Sequence, residues 1–284
     1  MEFHKLKITL INPIFQKSVY SPLPRIIEKS RGKFPPLGLA YLAGILEKNN
    51  HKVYIIDQDV YQYSDRQMKQ ILKHQKPEIV GITCTSFTFH QARRVAKLVK
   101  SIFPEIKIVI GGPHVSIYPK EVLVNDCFDI GVMGDGEITI IEILKTIEQN
   151  LSLKNIQGIV YKENNVIKIN DLRPPIKNLD ELPFPAYHLL PINEYFDAMS
   201  KIQPFFTIIT SRGCPFNCIF CLRSSGIHFG KKTRFRSTAN IIKEIEILIN
   251  KYKIREIFFY DDTFTINQKR IFELCQQIIK KKLK

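Results

Sequence analysis

The chain has 284 residues, 44% hydrophobic and 24% charged, which sets aside the disordered and collagen-like classes and allows about two domains at ~100–200 residues each. The formal net charge is +15, and no apolar run approaches the ~20 residues of a membrane span. The opening residues Met1-Glu2-Phe3-His4-Lys5-Leu6-Lys7 carry no long apolar stretch before a small-residue cleavage site, which argues against secretion, and six cysteines without an even framework of spaced pairs point to a reducing cytoplasm.

Over residues 1–150, β-rich runs at Lys5–Asn12, Lys52–Asp57, Glu78–Thr83, Lys107–Ile110 and Asp129–Val132 alternate with helical periodicity at Leu37–Asn49, Asp65–His74, Phe89–Phe103, Lys120–Val124 and Glu137–Gln149. This alternation predicts an α/β domain, Rossmann-like or flavodoxin-like, with a parallel sheet wound on both faces. Ligands of such sheets lie beyond the carboxyl ends of the strands, which here read Thr83-Cys84-Thr85-Ser86, Gly111-Gly112-Pro113-His114 and Gly134-Asp135-Gly136-Glu137. Glycines let a large ligand approach the backbone and hydroxyls supply hydrogen bonds, so Thr85, Ser86, Gly111, Gly112, Gly134, Gly136 and Glu137 are the candidate binding residues. Taken singly, each glycine pair is more often a turn than a binding site, and Gly134-x-Gly136 lacks the third glycine of a dinucleotide fingerprint. A long loop from Pro13 to Pro36 follows the first strand in place of a tight glycine turn.

Residues 151–200 read as a connector. Ile156–Tyr161 and Val166–Asn170 flank Glu163-Asn164-Asn165 as a β-hairpin, and Arg173-Pro174-Pro175, Leu182-Pro183-Phe184-Pro185 and Leu190-Pro191 favour an extended crossing segment. Tyr187 and His188 within it read as packing residues.

A strand-like Phe205–Thr210 then enters Ser211-Arg212-Gly213-Cys214-Pro215-Phe216-Asn217-Cys218-Ile219-Phe220-Cys221, while Cys84, Cys127 and Cys275 stand far apart. Closely spaced soft thiolates favour iron–sulfur clusters or zinc, and three sulfurs leave one metal position open. The nearest further ligand is His228; a zinc knuckle and a set of inert thiols are the alternatives. Beyond the loop, Ser237-Thr238-Ala239-Asn240 caps a helix with apolar residues at Ile241, Ile245, Leu248 and Ile249. Glu256–Tyr260 reads as a strand running into Asp261-Asp262-Thr263-Phe264-Thr265, and Asn267–Lys284 as the next helix. This is a βαβα unit of a parallel barrel, with Asp261 and Asp262 at the functional strand end. Exposed salt bridging is the expectation for Arg223 and Arg236. Residues 201–284 hold 17 Lys and Arg against 6 Asp and Glu, an excess read as solvated helix ends rather than as a nucleic-acid face.

The spacing Cys-x3-Cys-x2-Cys after Arg212-Gly213, with the aromatic Phe220, resembles the radical S-adenosylmethionine enzymes. The resemblance implies that Cys214, Cys218 and Cys221 hold a 4Fe-4S cluster whose open iron binds S-adenosylmethionine. It also implies that Phe220 packs near the adenine and that Asp261 and Asp262 lie near the methionine moiety. The pattern from Asn12-Pro13 through Phe34-Pro35-Pro36-Leu37-Gly38-Leu39, the Gly111 and Gly134 loops is similar to the cobalamin-binding domain that precedes many of these enzymes. That family, the cobalamin-dependent radical S-adenosylmethionine enzymes, consists mostly of methyltransferases, with some members forming rings. It implies a cobalamin-binding domain over 1–150, a connector over 151–200 and the first βα units of a partial TIM-type barrel over 201–284. Cobalamin would contact Thr85, Ser86, Gly111, Gly112, Gly134, Gly136 and Glu137. The Asp-x-His-x-x-Gly loop of many cobalamin proteins is missing, because Pro13 to Pro36 contains no His, and His114 reads as a loop-packing residue. Such a barrel has about six βα units against two here, so the expectation is a fragment, or a subunit completed by a second chain, and catalysis by this chain alone is left open. Radical methyl transfer to a small-molecule or lipid-type substrate, with electrons from a flavodoxin or ferredoxin, is the implied function. Radical cyclisation, tetrapyrrole or RNA modification, and a non-catalytic binding module are the alternatives.

Overall fold

The computed structural model describes residues 5–15, 32–222 and 232–283. Two compact units emerge, one of Met1–Pro22, Pro36–Pro175 and Pro185–Leu190, the other of Leu23–Pro35, Ile176–Phe184 and Pro191–Lys284.

In the first unit, strands β1 (Lys7–Asn12), β2 (Lys52–Asp57), β3 (Ile79–Thr83), β4 (Lys107–Gly111) and β5 (Ile130–Val132) pair in parallel in the order β2-β1-β3-β4-β5. That order is flavodoxin-like. The intervening helices are α1 (Leu37–Lys48), the short α2 (Gln58–Tyr61), α3 (Asp65–Gln75), α4 (Phe89–Ile102), α5 (Pro113–Ile117), α6 (Pro119–Val124) and α7 (Glu137–Glu148). Alternate strand residues face opposite sides: Ile8, Leu10, Ile79 and Val109 join a core with Leu39, Leu46, Ile140 and Ile143 of α1 and α7. Ile11, Val80, Ile82, Ile108 and Ile110 join a second core with Met68, Leu72, Ala92 and Val99 of α3 and α4. Burial on both faces is why these strands are nearly continuous apolar runs.

The hairpin β6 (Ile159–Glu163) and β7 (Val166–Ile169) is turned by Asn164 and Asn165 at φ of +50° and +63°, as a two-residue type I′ turn demands. It is not a free piece of connector. β6 pairs antiparallel with β5, Ile130 opposite Tyr161, so the hairpin extends the sheet to seven strands. The single helix expected at Lys120–Val124 is preceded by a second short one, α5, and each opens with a proline in its first turn.

In the second unit, β8 (Phe205–Ile208), α8 (Thr238–Tyr252), β11 (Glu256–Phe259) and α9 (Gln268–Lys280) form the expected βαβα unit, with β8 and β11 parallel and Phe205 opposite Glu256. Ser237 caps α8 by accepting from the Asn240 amide, as its sequence signature requires. The short antiparallel pair β9 (Ser211–Arg212) and β10 (Arg234–Phe235) brackets the cysteine loop.

Candidate functional site

The cysteine loop leaves the carboxyl end of β8. Gly213 turns the chain at φ +91°, and Cys214 lies half-buried with its Sγ 3.7 Å from Thr263 Oγ1. The Cys221 amide donates to the Cys218 carbonyl at 3.0 Å, closing a turn between the second and third thiols. None of the three is in a disulfide; Cys218 is exposed, as are Phe216 (53%), Ile219 (100%) and Phe220 (90%). Apolar side chains displayed in this density mark a face built to be covered. Among the described residues no three His, Cys, Asp or Glu side chains are gathered as a metal site. The donor set itself fits a cluster: three thiols outside any disulfide within eight residues, a soft-donor count that leaves one iron position open. By contrast, burial pushes the Cys84 thiol up to about 12 and raises Cys127, as for inert structural thiols.

Behind the loop, Asp261 Oδ1 accepts from the Thr210 amide (2.8 Å), the Ser211 amide (2.5 Å) and Ser211 Oγ (2.9 Å), and Oδ2 accepts from Thr210 Oγ1 at 2.6 Å. Arg270 of α9 donates through Nη2 to the Thr210 carbonyl at 3.0 Å and to Thr210 Oγ1, with its guanidinium 5.0 Å from the Phe235 ring centroid. Burial pulls the Arg270 guanidinium below its ordinary pKa, against the opposing charge of Asp261. Arg236 corrects the expectation of an exposed ion pair: it is buried with Glu244 and donates to Asn240 Oδ1 and the Ile209 carbonyl, both at 2.8 Å. Asp262 is exposed on the same turn. Arg223 and His228 lie outside the described residues.

In the first unit, the carboxyl ends of β1 and β3 lie where the strand order reverses, the ligand crevice of such sheets. The exposed Phe87 meets Phe15 there, ring centroids 6.0 Å apart, and the Phe15 amide is held by Asp59 Oδ1 at 3.0 Å. Ser86 Oγ lies 3.1 Å from His114 Nδ1, and the His114 ring packs 4.2 Å from Phe89. Burial lowers the His114 pKa, so the imidazole is a neutral packing group as its setting suggested. Thr85 and Thr88 cap each other's amides, at 2.9 and 3.3 Å. Gly112 holds φ +106° with a hypothetical Cβ 2.5 Å from the Cys84 carbonyl oxygen, whereas at Gly111 the nearest atom is 3.9 Å away. Gly134, at φ +76°, donates its amide to Ser116 Oγ at 3.0 Å. A Cβ on Gly136 would come within 3.3 Å of Leu42, and Glu137 is buried in the first turn of α7. Thr85, Ser86 and Phe87 are exposed at this end of the sheet, with Phe15 against Phe87.

The family described as the B12 binding domain matches residues 25–144, and the Radical SAM superfamily matches residues 208–283. The chain belongs to the radical SAM proteins that carry a B12-binding domain. It is 42% identical over 245 residues to an uncharacterized methyltransferase of Pyrococcus horikoshii, covering 86% of this chain and 52% of that protein. It is 29% identical over 261 residues to the anaerobic magnesium-protoporphyrin IX monomethyl ester cyclase of Rubrivivax gelatinosus, covering 89% and 46%. The radical S-adenosylmethionine methyltransferase TsrM from Kitasatospora setae, solved with cobalamin and a 4Fe-4S cluster bound, superposes over 98% of this chain and 51% of its own with a TM-score of 0.72 at 16% identity, a likeness of fold. The chain thus spans about half the length of the curated relatives it matches.

In this B12-binding and radical SAM chain, the structure brings the predicted Cys214 together with the strand end carrying Asp261, through Thr263. It brings Thr85, Ser86, Gly111 and Gly112 together with Phe15 and Phe87 at one sheet edge. Sequence reasoning passed over Phe15, Phe87, Thr263 and Arg270. The available signal was position alone, each lying within a few residues of a strand's carboxyl end or following helix. No helix among the described residues is long and apolar enough to cross a membrane.

Proposed function

We propose that this chain binds a 4Fe-4S cluster through Cys214, Cys218 and Cys221, S-adenosylmethionine beside it, and cobalamin at the β1–β3 crevice, and that it serves radical methyl transfer to a small-molecule or lipid-type substrate. The observation that carries the reading is the three-thiol loop at the carboxyl end of β8, tied to the end of β11 as a cluster loop must be to hold its sulfurs in place. When bound, the cluster supplies the electron that cleaves S-adenosylmethionine, and cobalamin carries the methyl group. The protein's own part is to position and to exclude water: Phe216, Ile219 and Phe220 offer apolar cover, Phe220 a face for a purine, and the exposed Asp262 a carboxylate for an ammonium. At the crevice, Phe15 and Phe87 would flank the corrin, Gly111, Gly112, Gly134 and Gly136 would let it approach the backbone, and Thr85 and Ser86 would hydrogen-bond it, with Glu137 buried in the first turn of α7. Cluster-suited thiols outside any disulfide support a reducing cytoplasmic setting with a flavodoxin- or ferredoxin-type donor.

The identity to a cyclase keeps radical ring formation as a second reading, distinguished by whether a methyl group reaches the product. The test is anaerobic reconstitution, followed by iron content, visible spectrum and deoxyadenosine release from S-adenosylmethionine with a strong reductant and cobalamin. The expected result is a brown, iron-bearing protein whose uptake is abolished in Cys214→Ala, Cys218→Ala and Cys221→Ala and retained in Cys84→Ala and Cys275→Ala. Equal iron in all five variants would sink the assignment.

A further inference from the structure

The sequence pattern offers Asp261 and Asp262 as a matched pair of carboxylates facing S-adenosylmethionine; the structure separates them. Each ionised carboxylate has about four lone-pair sites. Asp261 accepts from four donors, the amides and hydroxyls of Thr210 and Ser211, three of them on Oδ1 and one on Oδ2. A ligand ammonium would find Oδ1 saturated and only one side of Oδ2 open, so most of this carboxylate's capacity is spent on charge-assisted bonds within the fold, among the stronger hydrogen bonds a protein makes.

We propose that Asp261 is a positioning residue that latches the entrance of the cysteine loop to the end of β11, and that Thr263 extends the latch to the first thiol. The proposal rests on the cluster reading above. Thr210 and Ser211 are the last residues before Arg212-Gly213-Cys214, so fixing their amides fixes where the loop begins. Two residues after Asp261, Thr263 sets its hydroxyl 3.7 Å from Cys214 Sγ. From α9, Arg270 closes the arrangement on the Thr210 carbonyl and hydroxyl, its cation set against the Asp261 carboxylate. Asp261, Thr263 and Arg270 lie close together in the chain, and all three converge on a single turn some 50 residues earlier. A thiolate at Cys214 would accept a hydrogen bond from Thr263 Oγ1, and hydrogen bonds to cluster sulfurs raise the reduction potential.

The test uses the whole chain, wild type and two near-isosteric variants, Asp261→Asn and Thr263→Val. In the metal-free protein, Asp261→Asn is expected to speed amide hydrogen exchange over residues 209–214 by about tenfold, the effect of losing one charge-assisted hydrogen bond. After anaerobic reconstitution the same variant is expected to retain severalfold less iron, while its loaded fraction binds S-adenosylmethionine with unchanged affinity, followed by the change in the electron paramagnetic resonance spectrum of the reduced cluster. Thr263→Val is expected to load iron normally and to show a more negative midpoint potential. Wild-type exchange and iron in Asp261→Asn, with weakened S-adenosylmethionine affinity, would overturn the latch and return Asp261 to the ligand. An unshifted potential in Thr263→Val would overturn its contact with the thiol. Absence of iron from the wild type would instead overturn the cluster reading, and the exchange measurement on metal-free chains would still decide whether the latch exists.

Discussion

Gly112 and Gly111 are adjacent, yet the structure asks different things of them. Gly112 sits at φ +106° with a Cβ position 2.5 Å from a backbone carbonyl oxygen, and neither the angle nor the carbonyl can give way cheaply. Gly112→Ala is therefore expected to destabilise the protein by about 2 kcal/mol or more, measured by urea unfolding. Gly111 is outside the positive-φ region and its Cβ position would make only ordinary contact with Val132 at 3.9 Å, so Gly111→Ala should stay within about 1 kcal/mol of wild type. The pair separates fold from ligand. A loss of cobalamin binding in the stable Gly111→Ala protein would come from the bound group and not from the scaffold; comparable instability in both variants would contradict the steric account.

At the scale of elements, α8 is fastened to β8 by a buried charge. Arg236, 4% exposed, is paired with Glu244, 0% exposed, and also reaches Asn240 and the Ile209 carbonyl. Removing one partner leaves the other ion buried, a loss of several kcal/mol when nothing else compensates. With Asn240 and the Ile209 carbonyl still on Arg236, Glu244→Gln is expected to cost about 3 kcal/mol, read as a lowered denaturation midpoint. A cost below that of an ordinary surface substitution, about 0.5 kcal/mol, would show that the pair contributes nothing. The helix period placed Glu244 on α8 and the residue order placed Arg236 before its cap; that the two meet inside was not legible, because charge in a sequence reads as surface by default.

For the whole molecule, the stability profile against pH follows from two histidines. His51 and His114 are 8% and 5% exposed, and burial lowers both below the ordinary 6.5, against the raising charges of Glu148 and Glu78 on the first and Glu121 on the second. The unfolded chain takes up these protons as pH falls through 6.5 while the folded chain does not, so the stabilisation is full above that value and is lost as pH falls toward the depressed folded values. The carboxyls of Asp126 and Glu256, held below their ordinary 3.8 and 4.5, act only at lower pH. The thermal midpoint is expected to fall between about pH 7.5 and 5.5, and the double variant His51→Gln, His114→Asn to flatten that slope. An unchanged slope would place the pH dependence elsewhere.

Much of the fold was legible because its signals are local. Period-two and period-3.6 apolar patterns specify strands and helices, the Ser237 cap starts α8, and three cysteines in eight residues declare a soft-metal loop without any neighbour's help. What required the tertiary structure was pairing across distance. The strand order β2-β1-β3 brings Phe15 to Phe87, the hairpin of the connector becomes the sixth and seventh strands, and Asp261 meets Thr210 and Ser211 some 50 residues back in the chain. The sequence thus determined which elements exist and which thiols are suited to a cluster. Only the packed fold decided which carboxylate is spent on the scaffold and which stays exposed, because a carboxylate's role depends on the donors that surround it, and those come from residues remote in sequence.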